Sequence, residues 1–307
     1  MRTALVIPTI GADSLAECLQ SVRLLKPAPD EIVVVHSGGS QAPFVDCSVQ
    51  ILNFSQRLGF AGAVNAGIAQ AIDRADAIAV LNDDAFPASD WLGRLHDFLG
   101  NHPRAAAVQG TVRSGDGTTI DGRGVAFSRF GLPLQVDRSI GTDAEPASSS
   151  QRIAVSATAA LYRTEALAQT ALADGAFFDP AFDSYHEDVD LGLRLGRLGW
   201  QSWFVPDAVC RHLGSHSGAH RGWRHPWWLL ANPWRVLAGN LDPRSTMLAL
   251  PRMLVGELRA AARMTLDNPR TALVVPAVLA IMPALLASGW RRQSAGPRLT
   301  ALPVETA

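Results

Sequence analysis

The first 112 residues alternate short, nearly uncharged β-branched runs with stretches whose apolar residues recur at helical spacing. That alternation restricts the chain to a parallel sheet covered by helices. Thr3 to Pro8 is the first strand-like run. Asp13 or Ser14 stands at a helix-cap position ahead of Leu15, Leu19, Val22 and Leu25, and Pro27 ends that helix. Glu31 to Val35 and Val49 to Leu52 read as the next two strands, and Ala61 to Ile72 as a helix of small residues suited to packing under a ligand. Ala77 to Leu81 is the fourth strand and stops abruptly at Asn82-Asp83-Asp84. Ser89 or Asp90 caps a helix carrying Trp91, Leu92, Leu95 and Leu99, after which Ala105 to Val112 returns as a strand.

Periodicity weakens between Gly115 and Ser150, where a hairpin is expected around Val125 to Phe130 and a flexible surface loop over 141–151. Order resumes at Ile153 to Tyr162. A helix near Glu165 to Leu172, an aromatic stretch from Phe177 to Tyr185, a helix starting near Glu187 with Leu191, Leu195 and Leu198 on one face, and a last strand from Gln201 to Val205 follow. Three widely spaced cysteines, Cys18, Cys47 and Cys210, suggest neither a disulfide framework nor a metal knuckle. Met1 to Ile10, with one arginine and an apolar run broken by Pro8, reads as a strand and not as a secretory leader.

Three clusters bear chemistry. Asn82-Asp83-Asp84 follows a strand at the sheet edge where open α/β sheets bind ligands. It reads either as a hard-oxygen site for Mg²⁺ or Mn²⁺ bridging a diphosphate, or as an Asx turn. His186-Glu187-Asp188-Val189-Asp190 reads either as a helix cap with dipole-matched acids, or as a general base at a pocket walled by Phe177, Phe178, Phe182 and Tyr185. His212, His216 and His220 are spaced four apart, but the intervening Gly214, Ser215, Ser217 and Gly218 disfavour a helix and with it a zinc stripe. His225 lies just beyond, and a single histidine joining the acidic metal site fits the pattern better. A nicotinamide fingerprint is missing: Pro8-Thr9-Ile10-Gly11 stands where a GxGxxG would follow the first strand.

Taken in order, Val6 to Thr9, Glu31 to Val35, Gly59 to Ile68, Leu81 to Asp84, Tyr185 to Leu191, Arg194-Leu195, Gly199-Trp200, Val205-Pro206 and His212 resemble a family 2 inverting glycosyltransferase, over roughly residues 3–235. The likeness is strongest to the bacterial rhamnosyl- and galactofuranosyltransferase branch that builds cell-surface polysaccharides. The resemblance implies a GT-A fold, a Rossmann-like, mostly parallel mixed sheet with helices on both faces, here with a helical C-terminal tail. A catalytic domain over 1–220 would divide into a nucleotide-sugar half to about 112 and an acceptor half from about 113. By the same resemblance Pro8, Thr9, His36, Ser37, Asn65, Asn82 and Asp83 would bind the donor, and Asp84 and His212 the metal. Asp188 would be the catalytic base, Glu187 would orient it, and Tyr185, Trp223 and Trp227 would lie on the acceptor side. The expected substrates are a nucleotide-sugar donor, dTDP-rhamnose or a UDP-sugar, and a lipid-linked or cell-surface glycan acceptor. Three positions depart from the family pattern: His36 replaces an Asp, Asn82 the first Asp of a DxD motif, and Arg57 an Asn before the Gly59-Phe60 turn. A non-catalytic protein of the same fold that binds glycans or nucleotide sugars is the alternative.

The net charge of −1 offers nothing to nucleic acid, but it averages two unlike parts. Residues 221–307 hold 11 arginines, no lysine and four acids, interleaved with Trp223, Trp227, Trp228 and Trp234. That composition suits an anionic membrane surface, an aromatic acceptor site or a core aromatic cluster. Thr271 to Trp290 is uncharged and of transmembrane length, interrupted by Pro276 and Pro283 and flanked by arginine on both sides. A helix or broken hairpin in the inner leaflet is favoured over a span, and a buried helix is the third reading. The expected location is the cytoplasmic face of the cell membrane, peripheral or anchored by the C-terminus.

Overall fold

The computed structural model describes residues 1–39, 48–144, 148–214, 222–292 and 294–303. Four parallel strands, β1 (Thr3–Thr9), β2 (Glu31–Ser37), β3 (Gln50–Phe54) and β4 (Ala77–Leu81), form one side of the sheet in the order β3-β2-β1-β4. A short β5 (Ala85–Pro87) turns back from β4. Beyond β4 lies β11 (Ala159–Arg163), antiparallel both to β4 and to β6 (Ala105–Ser114), so β6 is again parallel to β4. Next comes β12 (Gln201–His212), parallel to β6, and β10 (Ser150–Arg152) closes that edge. β7 (Ile120–Gly122) pairs with β6, and β8 (Val125–Phe127) with β9 (Pro133–Gln135) makes the expected hairpin. One edge of the sheet therefore collects the C-terminal ends of β1, β2, β4, β6 and β12 together with the start of β11.

The alternation of β1 feeds two cores. Leu5 and Ile7 pack on one face with helices α1 (Leu15–Arg23) and α3 (Trp91–Asn101). Ala4 and Val6 pack on the other with α2 (Gly59–Ala71), α4 (Thr164–Thr170) and α5 (Glu187–Arg197). The small residues of α2 let it approach closely: a Cβ at Gly67 would lie 2.3 Å from Val6 Cγ1. Two expected caps are not made, since the side chains of Ser14 and Asp90 accept no cap hydrogen bond, and Asp90 pairs instead with Arg94 at 3.2 Å.

Two segments differ from expectation. The last strand runs past Val205 to His212, because Pro206 and Asp207 are absorbed in a bulge that lets pairing with β6 resume at Val209. The bulge presses on Gly110, where a Cβ would meet Ala208 O at 1.5 Å. Within the expected loop over 141–151, Ser150–Arg152 is an edge strand, and 145–147 lie outside the described residues.

The C-terminal part forms three helices, α6 (Arg224–Asn240), α7 (Pro243–Asp267) and α8 (Thr271–Arg291), around Leu230, Trp234, Leu237, Met253, Val274, Val278 and Leu286. α8 is continuous through Pro276 and Pro283, so a broken hairpin does not form. Its C-terminal end packs tightly on α6, with a Cβ at Gly289 falling 2.6 Å from Ala238 Cβ. Arg298 donates to the carbonyls of Ala238, Leu241, Gly289 and Trp290, capping both helices at once. The helical part is fastened to the sheet domain. Arg292 donates to Asp179 at 2.8 Å and to the fully buried Asp190 at 2.6 Å, Asn240 and Arg194 also donate to Asp190, and Arg197 donates to the carbonyls of Gly296 and Pro297. Burial acts against ionisation of Asp190, but Arg292 and Arg194 hold its carboxyl down at about 2.

Candidate active site

The polar edge of the sheet is built by strand ends. β4 delivers Asn82-Asp83-Asp84, and Asn82 N donates to Thr158 O just before β11. β12 delivers His212, whose Nε2 lies 3.1 Å from Asp84 Oδ1 while Nδ1 lies 2.7 Å from Asp121 Oδ2. Burial alone would lower the His212 pKa, but hydrogen bonds to Asp121 and Asp84 raise it to about 9, so both ring nitrogens donate at neutral pH. β1 ends at Thr9, whose hydroxyl donates to Asp83 Oδ2 at 2.6 Å and accepts from Gly11 N at 3.0 Å. In register with Thr9, His36 is the last residue but one of β2 and contacts Asn53 Oδ1 at 2.8 Å through Nδ1, with Pro8 before Thr9 and the buried Ser37 after His36.

A second group is positioned by the turn before α5. Asp183, Tyr185 and His186 have φ of 61°, 69° and 69°, a conformation held from two directions. From α2, the amides of Phe60 and Ala61 donate to Asp183 O, and from α6 the Asn232 carboxamide donates to the carbonyls of Phe182, Ser184 and Tyr185. Out of this turn, Asp188 accepts from Val189 N at 2.8 Å and Ala157 N at 3.1 Å. Desolvation raises its carboxyl to about 6 despite these donors. Gln109 Oε1 accepts from Ser156 N at 2.6 Å and so fixes the segment that supplies the Ala157 amide.

Both groups open on one cavity of about 500 Å³. Of the residues singled out from the sequence, it brings together Asn82, Tyr185, Glu187, Asp188 and His212. Thr9, Asp83 and Asp84 adjoin through the hydrogen bonds above, and Pro8, His36 and Ser37 lie further along the sheet edge. Asn65 departs from its donor-facing role: its carboxamide is spent on the backbone, donating to Phe178 O and accepting from Phe177 N and Phe178 N. Trp223 is 59% exposed and stacks edge-on with Trp227, and neither lines the cavity. The phase of α6 presents His225 and Leu229 instead, with His225 edge-on to Tyr185 at 5.3 Å and Trp228 at 6.1 Å from the same ring. Asp121, His186 and Gln109 also line it and were not singled out from the sequence as site residues. Asp121 carries no local signal, since its partner His212 is 91 positions away. His216 and His220 lie outside the described residues.

The edge fits a hard divalent cation. Asp84 and His212 face each other, and Asn82 Oδ1 is buried with no hydrogen-bond partner. Among the described residues no three His, Cys, Asp or Glu side chains form a cage, so a cation here would draw on Asp84, His212, the Asn82 amide oxygen and the phosphates of a substrate.

Comparison with known proteins agrees with this geometry. The sequence profile of Glycosyl transferase family 2 matches residues 4–169, more than half of the chain. The chain belongs to glycosyl transferase family 2. Proteins described as N-acetylglucosaminyl-diphospho-decaprenol L-rhamnosyltransferase, from two strains of Mycobacterium tuberculosis, are 29% identical to this family 2 glycosyltransferase over 238 residues, 66% of this chain and 76% of theirs. Two solved structures share its GT-A fold. GalNAc-T7 with UDP, GalNAc and Mn²⁺ superposes with a TM-score of 0.59 at 15% identity over 79% of this chain. The chain spans 48% of the length of that protein. The mannosyltransferase PcManGT from Pyrobaculum calidifontis with GDP-Man and Mn²⁺ gives 0.52 at 18% identity over 94% of this chain and 85% of that one.

Proposed function

We propose that this glycosyltransferase moves a sugar, rhamnose or a sugar carried on UDP, from a nucleotide diphosphate to a hydroxyl of a lipid-linked or cell-surface glycan at the cytoplasmic face of the membrane, with inversion in a single displacement. The observation that carries the reading is the shared cavity, with the raised carboxyl of Asp188 on one wall and the Asn82, His212 and Asp121 group on another. The acceptor assignment is supported by the lipid-linked substrate named for the mycobacterial relatives.

Asp188 takes the proton of the acceptor hydroxyl as its oxygen attacks the anomeric carbon, and its pKa near 6 leaves it ionised yet basic at neutral pH. Glu187 begins the same helix and lines the same wall, keeping the field around Asp188 negative. Tyr185 and His225, set edge-on at 72°, form an aromatic corner against which an acceptor sugar would pack. On the leaving side, Asp84 and the Asn82 amide oxygen would hold Mg²⁺ or Mn²⁺, with His212 able to ligate through Nε2 only after giving up the proton it carries there, and the ion when bound offsets the charge of the departing diphosphate. Thr9 and Asp83 brace that edge from β1, beside His36 and Ser37, where the nucleoside would lie. The test is a screen of nucleotide sugars for Mn²⁺-dependent thermal stabilisation. One nucleotide should stand out in the wild type and lose its effect in Asp84→Ala; a flat response to every nucleotide overturns the reading.

A further inference from the structure

The outer surface of α7 and α8 combines features a soluble protein rarely leaves in water. On α7, Met247, Leu248, Val255, Leu258 and Leu266 are 54%, 74%, 48%, 48% and 86% exposed. At 100° per residue they fall in one stripe, and Arg252, Arg259 and Arg263 fall in a row along one flank of it. α8 is long and apolar enough to cross a membrane, yet only 22% of its most apolar window is buried. Leu273, at 77% exposed, and Leu279 lie on its open side. A span is incompatible with how α8 is held. Its first residue, Thr271, is buried, Val274, Val278 and Leu286 pack in the helical core, and its far end is locked by Gly289 against α6 and by Arg292 on Asp179 and Asp190. Both ends of the helix are thus tied to the same protein body.

We infer that the α7–α8 face is an in-plane docking surface for a bilayer with anionic headgroups, with the leucines entering the acyl boundary and the arginine row reaching the phosphates. The choice of partner rests on the membrane location proposed above, while the face and its orientation rest on the packing. Charge complementarity selects a lipid surface over a second copy of the chain. The α7 stripe is flanked by Arg252, Arg259 and Arg263, whereas among the described acids of α7 and its cap Glu257 is buried and Asp242 is bonded to Ser245, leaving Asp267 exposed at the end of the helix. Two such faces would repel. The arrangement also serves the site, because α6, which packs against α8, supplies His225 and Leu229 to the cavity wall.

The experiment is flotation of the full chain with vesicles of phosphatidylglycerol and phosphatidylcholine against vesicles of phosphatidylcholine alone. The wild type should float with the anionic vesicles, be released by alkaline carbonate, and partition about tenfold or more weakly after Leu248→Gln/Leu266→Gln/Leu273→Gln. Arg252→Gln/Arg263→Gln should lose the preference for anionic lipid. Thermal melts of each variant and nucleotide-dependent stabilisation serve as controls for folding and donor binding, so a failed donor reading leaves flotation interpretable. Flotation that is unchanged by the leucine changes, or retention after carbonate as for a spanning helix, overturns the inference. So does a dimer in sizing that the leucine changes dissolve while the wild type stays off vesicles.

Discussion

At the residue scale the proposed chemistry concentrates on Asp188. Replacing it with Asn keeps one of the two backbone donors partnered but removes the proposed base, so transfer should fall by about 10²- to 10⁴-fold while nucleotide-dependent stabilisation persists. The working form is the carboxylate, so the wild-type rate should hold above pH 6 and fall as pH drops through about 6, a limb read from initial rates of donor turnover. Much of this was legible from sequence. An apolar strand that ends abruptly at polar residues marks Asn82 to Asp84 without a structure, the aromatic run before an acidic helix start marks Asp188, and the family resemblance points to Thr9. What was not legible required long-range partners. Asp121 is recognisable only once β7 is laid beside β6, where its carboxylate meets His212. Asn65 sits in a motif that promises ligand contact, but the fold uses its carboxamide to pin Phe177 and Phe178.

At the element scale the turn before α5 depends on two helices distant in sequence. Asn232→Ala leaves the carbonyls of Phe182, Ser184 and Tyr185 without their shared donor, and unfolding in urea should show a loss of about 1–3 kcal/mol with a weakened affinity for acceptor. Within α7, Glu257 is buried and desolvation lifts its carboxyl to about 8. The folded state then holds a proton that the unfolded chain has released, so stability should fall as pH rises from about 4.5 to about 8 and level off above. Melting temperatures across that range check the slope, and Glu257→Gln should flatten it. The helices themselves were legible in outline, but their phase was not. A tryptophan-rich stretch does not say which ring faces the site, and one step along α6 separates Trp227 in the helical core from Trp228 beside Tyr185.

At the scale of the whole molecule, the parallel half β3-β2-β1-β4 follows from strand alternation and the βαβ rule, whereas the antiparallel insertion of β11 and the fastening of the C-terminal helices could not be read from sequence pattern. Basic and apolar residues there suggested a tail drawn to a surface, yet Arg292 and Arg298 turn inward. Ending the chain at Trp290 removes both, leaving Asp190 buried with less countercharge, and should cost about 3–5 kcal/mol, seen as a lower urea midpoint and faster proteolysis. Adding Asp190→Asn to that truncation should restore part of the loss. Deletion of the helices is accordingly a test of folding, and surface substitutions are the means to test membrane contact.

The salt bridge from Arg292 to Asp190 joins positions 102 residues apart, and Asp190 lies one turn or less from the residue proposed to activate the acceptor. During synthesis Asp190 meets Arg194 almost at once but must wait 102 residues for Arg292, so the helix proposed to carry the base gains its full countercharge only after the C-terminal helices have been made.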